Sequence, residues 1–276
     1  MLRKVVDIIE PAYVQEGAGV LLRRSIATPR LDYLDPFLLF DHFGSDDPRD
    51  YLAGFPMHPH RGIETVTYML AGNINHKDSL GNQGTIGKRD VQWMTSGSGI
   101  MHEEMPQKPE TGKMEGFQLW VNLPARMKMT SPRYQEVKAA DIPEVEHKGG
   151  RVKVIAGEYE GVKGPVKEIY ADPEYLDVYL PSGEEFKQFI TPGHNAFIYL
   201  YEGKGMVSGK EVSSTRLLVL GGGDHIQVES KEDMRFLLIS GKPLNEPIAR
   251  HGPFVMNTRE EIMEALDDLT KGTFVK

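Results

Sequence analysis

Two short pairs of potential metal ligands stand out in the sequence. His58 and His60 lie two residues apart in FPMHPHRGIETVTYML, and His102 and Glu104 do so in SGSGIMHEEMP. Both stretches are typical of β-strands, in which such pairs share a face about 6.6 Å apart. Two strands that meet across a barrel interior would bring three imidazoles and one carboxylate to a single ion. The spacing therefore predicts a mononuclear metal site with room for a substrate or O2.

The ligand types limit the metal without selecting it. Neutral imidazole and carboxylate suit Fe(II), Mn, Ni, Cu and Zn. The chain contains no cysteine, which excludes disulfides, thiolate zinc sites and cysteine-ligated iron–sulfur clusters. Any metal is therefore expected to be held by nitrogen and oxygen, and an open coordination position would fit a catalytic or oxygen-handling ion.

Other polar residues compete for a place in this site. Glu64 is expected on the same strand face as His58 and His60, so it could replace Glu104 or accept a hydrogen bond behind the ligands. His76 lies in the loop-like NINHKDSLGNQG, which favours a turn-stabilising role. His42 follows an apolar run and is expected at the mouth of a pocket. No chemistry is expected of the remaining histidines, which are His147, His194, His225 and His251.

The elements that position these residues are predicted to be short strands. Glycine (29 residues) and proline (18) separate many segments rich in Val, Ile, Tyr, Phe and Leu, such as IETVTYML, FQLWVNL and AFIYLY. Short strands at near-regular spacing indicate an all-β sandwich or barrel.

One helix is predicted near the C-terminus. Thr258 and Glu261 form a capping box, and Gly272 is a plausible end. The apolar stripe expected to dock on a barrel comprises Ile262, Ala265, Leu266 and Leu269.

Two domains are predicted, with a polar, proline-containing junction over residues 125–150. The domain of residues 1–135 is expected to be a metal-binding barrel, and that of residues 136–276 a metal-free barrel that carries the terminal helix. YMLAG in the first half is echoed by YLYEG in the second, and WMTSGSG by LLVLGGG. The echo indicates a duplicated barrel, and hence one metal per chain if the second copy has lost its ligands.

The counterparts of the predicted ligands in the second half are found by counting residues from the matched glycines of the two halves. His58 and His60 fall opposite Phe189 and Thr191, and His102 falls opposite Ile226. None of these three counterparts is a metal ligand of the predicted type, which supports a metal-free second barrel.

Bulk composition disfavours several classes of protein. The net charge is −8 without a conspicuous basic run, so direct nucleic-acid binding is not expected. Apolar runs such as FLLF are far too short to cross a bilayer, and the first residues lack a signal-peptide pattern. A cytoplasmic protein without a membrane partner is expected.

The stretch from Phe40 to Pro106 closely resembles the pirin family of the cupin superfamily. The blocks that carry the resemblance are FPMHPHRGIETVTYML, NHKDSLGN, VQWMTSGSGIMHEEMP, QLWVNL and, near the end, HGPFVMNTREEI. It covers most of the chain and is strongest in the first half. It implies an all-β bicupin, in which two antiparallel β-barrels of the double-stranded β-helix or jelly-roll type are followed by a short helix.

The resemblance also implies that the metal lies only in the N-terminal barrel and that its ligands are His58, His60, His102 and Glu104. This implication decides against Glu64, which lies nearer the carboxylate position of the general cupin motif. Fe(II) is the metal that the family suggests first, and Mn, Co, Ni, Cu and Zn are alternatives. The general motif expects a proline where this chain has Gly97, so the match to pirins is better than the match to cupins at large.

Three functions follow as hypotheses. The leading one is a flavonol (quercetin) 2,3-dioxygenase that uses a flavonoid-like substrate and O2, with Glu104, or Glu64 if it lies within reach, as the general base for the flavonol 3-hydroxyl. The alternative is a regulator without catalytic activity, in which the redox state of iron changes binding to a protein partner. A cupin isomerase for sugar phosphates is disfavoured, because Arg61, its nearby basic residue, is expected to point off the ligand face.

Overall fold

In the computed structural model, which describes residues 1–108 and 112–276, most residues lie in β-strands. In the first part of the chain the strands are β1 (Val5–Ile9), β2 (Ala12–Glu16), β3 (Val20–Ile26), β4 (Phe37–Ser45), β5 (Phe55–His60), β6 (Ile63–Ala71), β7 (Ile74–Asp78), β8 (Gln83–Ile86), β9 (Val91–Thr95), β10 (Ile100–Pro106), β11 (Met114–Asn122) and β12 (Arg133–Val137).

The strands that follow continue the same numbering. They are β13 (Glu144–His147), β14 (Gly150–Ala156), β15 (Glu158–Tyr159), β16 (Val162–Lys163), β17 (Glu174–Leu180), β18 (Glu185–Phe189), β19 (Asn195–Glu202), β20 (Lys204–Val207), β21 (Lys210–Ser213), β22 (Arg216–Leu220), β23 (His225–Ser230), β24 (Met234–Gly241), β25 (Ala249–His251) and β26 (Phe254–Met256). Helix α1 spans Arg259–Lys271, and short 3₁₀ helices span Pro48–Asp50, Ala125–Met127 and Ala139–Asp141.

The chain divides into two compact units that are not successive halves. The unit that contains the predicted ligands, called the histidine unit here, comprises Tyr13–Ala27, Phe37–Ala139 and Leu244–Lys276. The other, called the apolar unit, comprises Met1–Ala12, Thr28–Pro36 and Ala140–Pro243. Each unit thus takes a terminal segment from the opposite end of the chain, and α1 belongs to the histidine unit. The boundary at residues 135/136 stays a prediction, but no single cut reproduces this membership.

The two units have equivalent sheets, and their strand pairs are antiparallel. In the histidine unit a seven-stranded sheet has the order β12-β9-β6-β11-β4-β3-β2 and a four-stranded sheet the order β5-β10-β7-β8. The apolar unit has β1-β22-β19-β24-β17-β14-β13 and β18-β23-β20-β21. The orders match strand by strand, so β5 corresponds to β18 and β10 to β23. This equivalence agrees with the duplication that the internal echo predicts.

The apolar unit is filled by hydrocarbon where the histidine unit carries polar side chains. Phe186 on β18 and Ile226 and Val228 on β23 are fully buried members of one core cluster. Ile226 is the predicted counterpart of His102. Among the described residues, the clusters of histidine and carboxylate donors close enough to hold an ion lie only in the histidine unit.

The terminal helix is formed as predicted. The Thr258 side chain accepts a hydrogen bond from the Glu261 backbone N–H, the reciprocal bond completes the capping box, and Gly272 ends the helix in the left-handed conformation. Ile262 and Ala265 are buried against a small apolar cluster, whereas Leu269 is 37% exposed. The helix has 13 residues, and within the described ranges no helix has the length and apolarity of a membrane span.

Candidate metal centre

Three imidazoles meet on one face of the four-stranded sheet. Strand β10 lies between β5 and β7, and its register places His102 directly opposite His58. The Nε2 atoms of His58 and His60 are 3.1 Å apart, which confirms that these two side chains share a face. The ring of His102 has its centroid 4.3 Å from that of His58 and 5.0 Å from that of His60. The two strands therefore meet as predicted, but as hydrogen-bonded neighbours in one sheet and not across the barrel interior.

The surroundings keep these imidazoles neutral, which is the form that binds metals. Burial lowers the pKa of His58 and holds the pKa values of His60 and His102 well below the ordinary histidine value. The Nδ1 atom of His58 is 2.9 Å from the carbonyl oxygen of Pro56. Because a carbonyl only accepts, Nδ1 carries the proton and Nε2 presents its lone pair to the cluster.

The donor set fits a bound cation. Both ring nitrogens of His102 are buried, and neither has a hydrogen-bond partner among the described residues. A buried polar atom without a partner costs about 1–3 kcal/mol, and a cation would use one such nitrogen. The facing Nε2 atoms of His58 and His60 would likewise each direct a lone pair to it. Nitrogen and oxygen donors without thiolate are compatible with Fe, Mn, Co, Ni, Cu or Zn.

Glu104 belongs to a second cluster that overlaps the first. Donor atoms of His58, His60 and His102 lie within 4.8 Å of one another, and so do those of His76, His102 and Glu104. The Glu104 Oε1 accepts a hydrogen bond of 2.9 Å from the Thr67 hydroxyl, and burial raises the pKa of Glu104 to about 7. The four predicted ligands thus fall into two clusters that share His102, and their joint binding of one ion stays a prediction.

Glu64 lies outside both clusters, and the expectation that it shares the ligand face was wrong. That expectation treated residues 58–64 as one strand, whereas β5 ends at His60 and β6 begins at Ile63. Gly62 between them has a φ of +82°, and a Cβ there would approach the Val255 carbonyl oxygen to 2.0 Å. The turn interrupts the alternation of side chains between strand faces, so the face of Glu64 cannot be counted from His60. On β6, Glu64 lies on the face opposite to Thr67.

The position of Glu64 gives a pH-dependent prediction. Burial raises its pKa from 4.5 to about 7, and its Oε1 accepts a 2.9 Å hydrogen bond from Thr95. The stabilising contribution of the protonated form is fully present below pH 4.5 and is lost as the pH rises through 7. Glu64→Gln keeps a neutral side chain at every pH. We therefore expect its free energy of unfolding to exceed that of the parent protein by up to about 3 kcal/mol near pH 8 and by little near pH 4.5.

Thermal unfolding of the two metal-free proteins across this pH range measures the effect. The gap between their melting temperatures should widen as the pH rises. A gap that stays constant with pH would mean that Glu64 does not retain its proton in the folded protein.

His76 is the residue at this site that the sequence interpretation missed. It lies on β7, not in a loop, and is 2% exposed. Its register partner on β10 is Glu104. The alternation in INHKD was the available signal, because Ile74, His76 and Asp78 are buried while the residues between them are exposed.

The other polar residues considered from the sequence lie away from the clusters. His42 is 2% exposed on β4, with Nε2 3.3 Å from the Glu115 carboxylate, and does not line the cavity described below. Arg61 is buried, and its Nη2 is 2.9 Å from the Asp268 carboxylate. His42 belongs to neither donor cluster.

A cavity of about 550 Å³ adjoins the clusters within the histidine unit. His58, His60 and Glu104 form part of its wall, and the Trp120 ring meets His60 edge-on at 5.1 Å. Most of the remaining wall is apolar, with side chains such as Val20, Leu22, Leu39, Phe43, Phe55, Ile74 and Met114. The volume is in the range that binds small organic molecules.

Comparisons with known proteins cover both parts of the chain. A sequence model of the Pirin family matches residues 19–121, and a model of the Pirin C-terminal cupin domain matches residues 175–275. The pirin-like protein of Caulobacter vibrioides is 48% identical, over 99% of this chain and 99% of that protein. Human pirin is 45% identical, over 92% of this chain and 87% of that protein.

Among solved structures, a quercetin 2,3-dioxygenase from Acinetobacter baumannii is similar over its whole length. The comparison has a TM-score of 0.91 at 35% identity and covers 100% of both chains. With the sheets described above, this similarity confirms the expected all-β bicupin fold with a terminal helix. Within the described residues, each barrel is built from separate antiparallel sheets that do not close into one hydrogen-bonded cylinder.

Proposed function

The chain belongs to the pirin family, and we propose that it is a metal-dependent flavonol 2,3-dioxygenase of the quercetinase type. One ion, with Fe(II) as the first choice, would be held by His58, His60, His102 and Glu104. The observation that carries the proposal is that three of these donors, His58, His60 and Glu104, line a mostly apolar cavity of about 550 Å³. The similar structure from Acinetobacter baumannii, named as a quercetin 2,3-dioxygenase, supports the same activity.

The cavity suits a planar, largely apolar ligand that carries a few hydroxyl groups. Trp120 and Phe43 supply aromatic surface, and Thr67 and Gln118 supply neutral polar groups in the wall. Apart from Glu104, the charged residues of the wall are Glu16, Arg24, Asp41 and Arg250. Such a combination of apolar walls and few polar groups is typical of sites that orient a small molecule. A ligand that fills the cavity would displace water from the reacting atoms, which strengthens electrostatic interactions there.

The imidazoles and Glu104 would have separate chemical roles. The buried, neutral imidazoles would bind the ion, and a bound ion would act as a Lewis acid toward the flavonol 3-oxygen and permit reaction with O2. The Glu104 carboxyl group would take the proton from the 3-hydroxyl. Without metal, burial raises the pKa of this group to about 7, and a bound cation would favour the ionised form that accepts the proton. The Thr67 hydroxyl, 2.9 Å from the Glu104 Oε1, can donate a hydrogen bond to that carboxyl group.

Oxygen uptake tests the proposal. The purified protein would be loaded anaerobically with Fe(II), Mn, Co, Ni or Cu and mixed with quercetin and O2, and both O2 consumption and release of carbon monoxide would be followed. We expect turnover with at least one metal. Glu104→Gln should lower kcat by about 10²–10⁴-fold, the usual contribution of a general base, with rates compared at equal metal content.

Glu103→Gln is the matched control, because Glu103 lies on the opposite face of the same strand. It should retain the activity of the parent protein. Absence of O2 uptake with every metal, in protein that holds one equivalent, would contradict the proposal. Redox-dependent capture of a protein partner by the same preparation would then favour the regulator hypothesis.

A further inference from the structure

His76 lies beside the predicted ligands without belonging to the predicted ligand set. It is buried on β7, and donor atoms of His76, His102 and Glu104 lie within 4.8 Å of one another. Its ring centroid is 5.5 Å from that of His102. On its other side the ring stacks on Tyr134 at 4.7 Å with an interplanar angle of 19°. The imidazole is therefore held between the metal cluster and an aromatic ring.

The tautomer of His76 follows from its contact with Asp78. The Nε2 atom is 3.3 Å from the Asp78 Oδ2, and a carboxylate oxygen accepts, so Nε2 carries the proton. Asp78 is itself fixed, because its Oδ1 accepts hydrogen bonds from the backbone N–H groups of Leu80 and Asn82 and its Oδ2 accepts one from the Asn82 amide. Nδ1 of His76 is thus left with a lone pair, and it is buried without a partner among the described residues.

His102, as a metal ligand, would require a hydrogen-bond acceptor of this kind. Both of its ring nitrogens are buried without a hydrogen-bond partner in the described part of the chain. If one of them binds a metal ion, the other carries a proton and requires an acceptor, since metal-bound histidines almost always donate their second ring N–H. The unpartnered Nδ1 of His76, in the same buried cluster, is an acceptor of the required kind.

In the present arrangement His76 and His102 make no hydrogen bond with each other. We propose that His76 is a positioning residue of the metal centre: once an ion is bound, its Nδ1 would accept the N–H of the ring nitrogen of His102 that does not bind the metal. The connection from Asp78 through His76 to His102 would then fix the tautomer and the ring orientation of this ligand. This role of His76 rests on the proposed role of His102 as a metal ligand. It goes beyond that role because it adds His76, which does not bind the metal itself and acts only through His102.

Metal affinity in three variants tests this role. His76→Phe keeps a flat ring against Tyr134 but has no acceptor, and should weaken binding of Zn(II) or Co(II) about 10–100-fold. His76→Asn should recover much of that loss, because its Oδ1 can occupy the place of Nδ1.

His42→Phe is the matched control, since His42 is also buried, paired with a carboxylate and packed on an aromatic ring. It should bind the metal within about twofold of the parent protein. Thermal unfolding of the metal-free variants checks that each is folded.

A measurement on the unaltered protein keeps the test decisive if His76→Phe does not fold. In Zn(II)-loaded protein with ¹⁵N-labelled histidine, His76 should be protonated at Nε2, and its Nδ1 should show coupling across a hydrogen bond to a nitrogen of His102. Protonation of His76 at Nδ1, or unchanged affinity in folded His76→Phe, would overturn the proposal. Loss of one nitrogen ligand in the X-ray absorption spectrum of that variant would also overturn it, because His76 would then bind the metal directly. Failure of the ligand assignment itself would appear differently, as full metal affinity in a His102 variant.

Discussion

Replacing His102 with alanine is expected to abolish tight metal binding, with a loss of affinity of more than about 100-fold. Loss of a residue behind a ligand already costs about 10–100-fold, and His102 is shared by both donor clusters. The expected loss therefore holds whichever other donors complete the coordination. Titration of the metal-free protein with Zn(II) or Co(II) against a competing chelator measures the affinity.

The matched control for this variant is His225→Ala. His225 lies on β23, the counterpart of β10 in the apolar unit, and its side chain is 43% exposed. It should bind one equivalent of metal like the parent protein. The two unpartnered nitrogens of His102 contribute no hydrogen bond to the metal-free fold, so His102→Ala should stay folded without metal. A folded His102→Ala protein that binds one equivalent with the affinity of the parent protein would refute the ligand assignment.

The second large effect is a loss of stability on replacement of Asp268, which forms an ion pair with Arg61, the residue that follows His60. The Arg61 guanidinium is 1% exposed, with Nη2 2.9 Å from the Asp268 carboxylate and 3.3 Å from the Phe274 carbonyl oxygen. It also lies 4.4 Å from the centroid of the Phe274 ring. Removing one partner of a buried ion pair leaves an uncompensated charge, so Asp268→Ala should destabilise the histidine unit by about 3–5 kcal/mol.

Asp267→Ala is the control, one residue away on the same helix. The Asp267 side chain is 56% exposed and pairs with Lys271 on the surface, so its loss should cost no more than about 0.5 kcal/mol. Thermal and urea unfolding compare the two variants. Because Arg61 directly follows His60, Asp268→Ala should also weaken metal binding. Equal stability of the two variants would show that Asp268 does not neutralise the buried guanidinium.

Local patterns predicted the parts of the site that depend on strand alternation alone. The two-residue spacing placed His58 and His60 on one face, as their 3.1 Å contact confirms. The capping box at Thr258 and Glu261 and the end at Gly272 located the helix for the same reason, since each depends on residues only a few positions apart. The internal echo predicted a duplicated barrel, and the resemblance to pirins identified that architecture as a bicupin.

The errors arose where the chain turns or where polar residues line a buried strand. Alternation was extended through the turn at Gly62, which placed Glu64 on the wrong face. His76 was assigned to a loop because Asn, Asp and Gly surround it, although the alternate residues of INHKD face inward. A polar interior that serves a site resembles a solvent-exposed loop in composition, and the two are distinguished by the alternation in INHKD and by the strand pairing with β10.

The exchange of chain ends between the units had no local signal. Strand β1 pairs with β22, and Arg61 contacts Asp268 and Phe274. These contacts join residues more than 200 positions apart, and no spacing rule in the sequence encodes them. The pairing of Arg61 also explains why a basic residue next to the histidines is not available to bind a substrate phosphate.

The most direct test of the account is a crystal structure of the Fe(II)-loaded protein with an anomalous difference map at the iron edge. We expect one ion per chain in the histidine unit, bound by a ring nitrogen from each of His58, His60 and His102 and by an oxygen of Glu104. An ion bound elsewhere, or a protein that takes up no metal while those side chains keep their present arrangement, would contradict the proposed centre and the dioxygenase activity that depends on it.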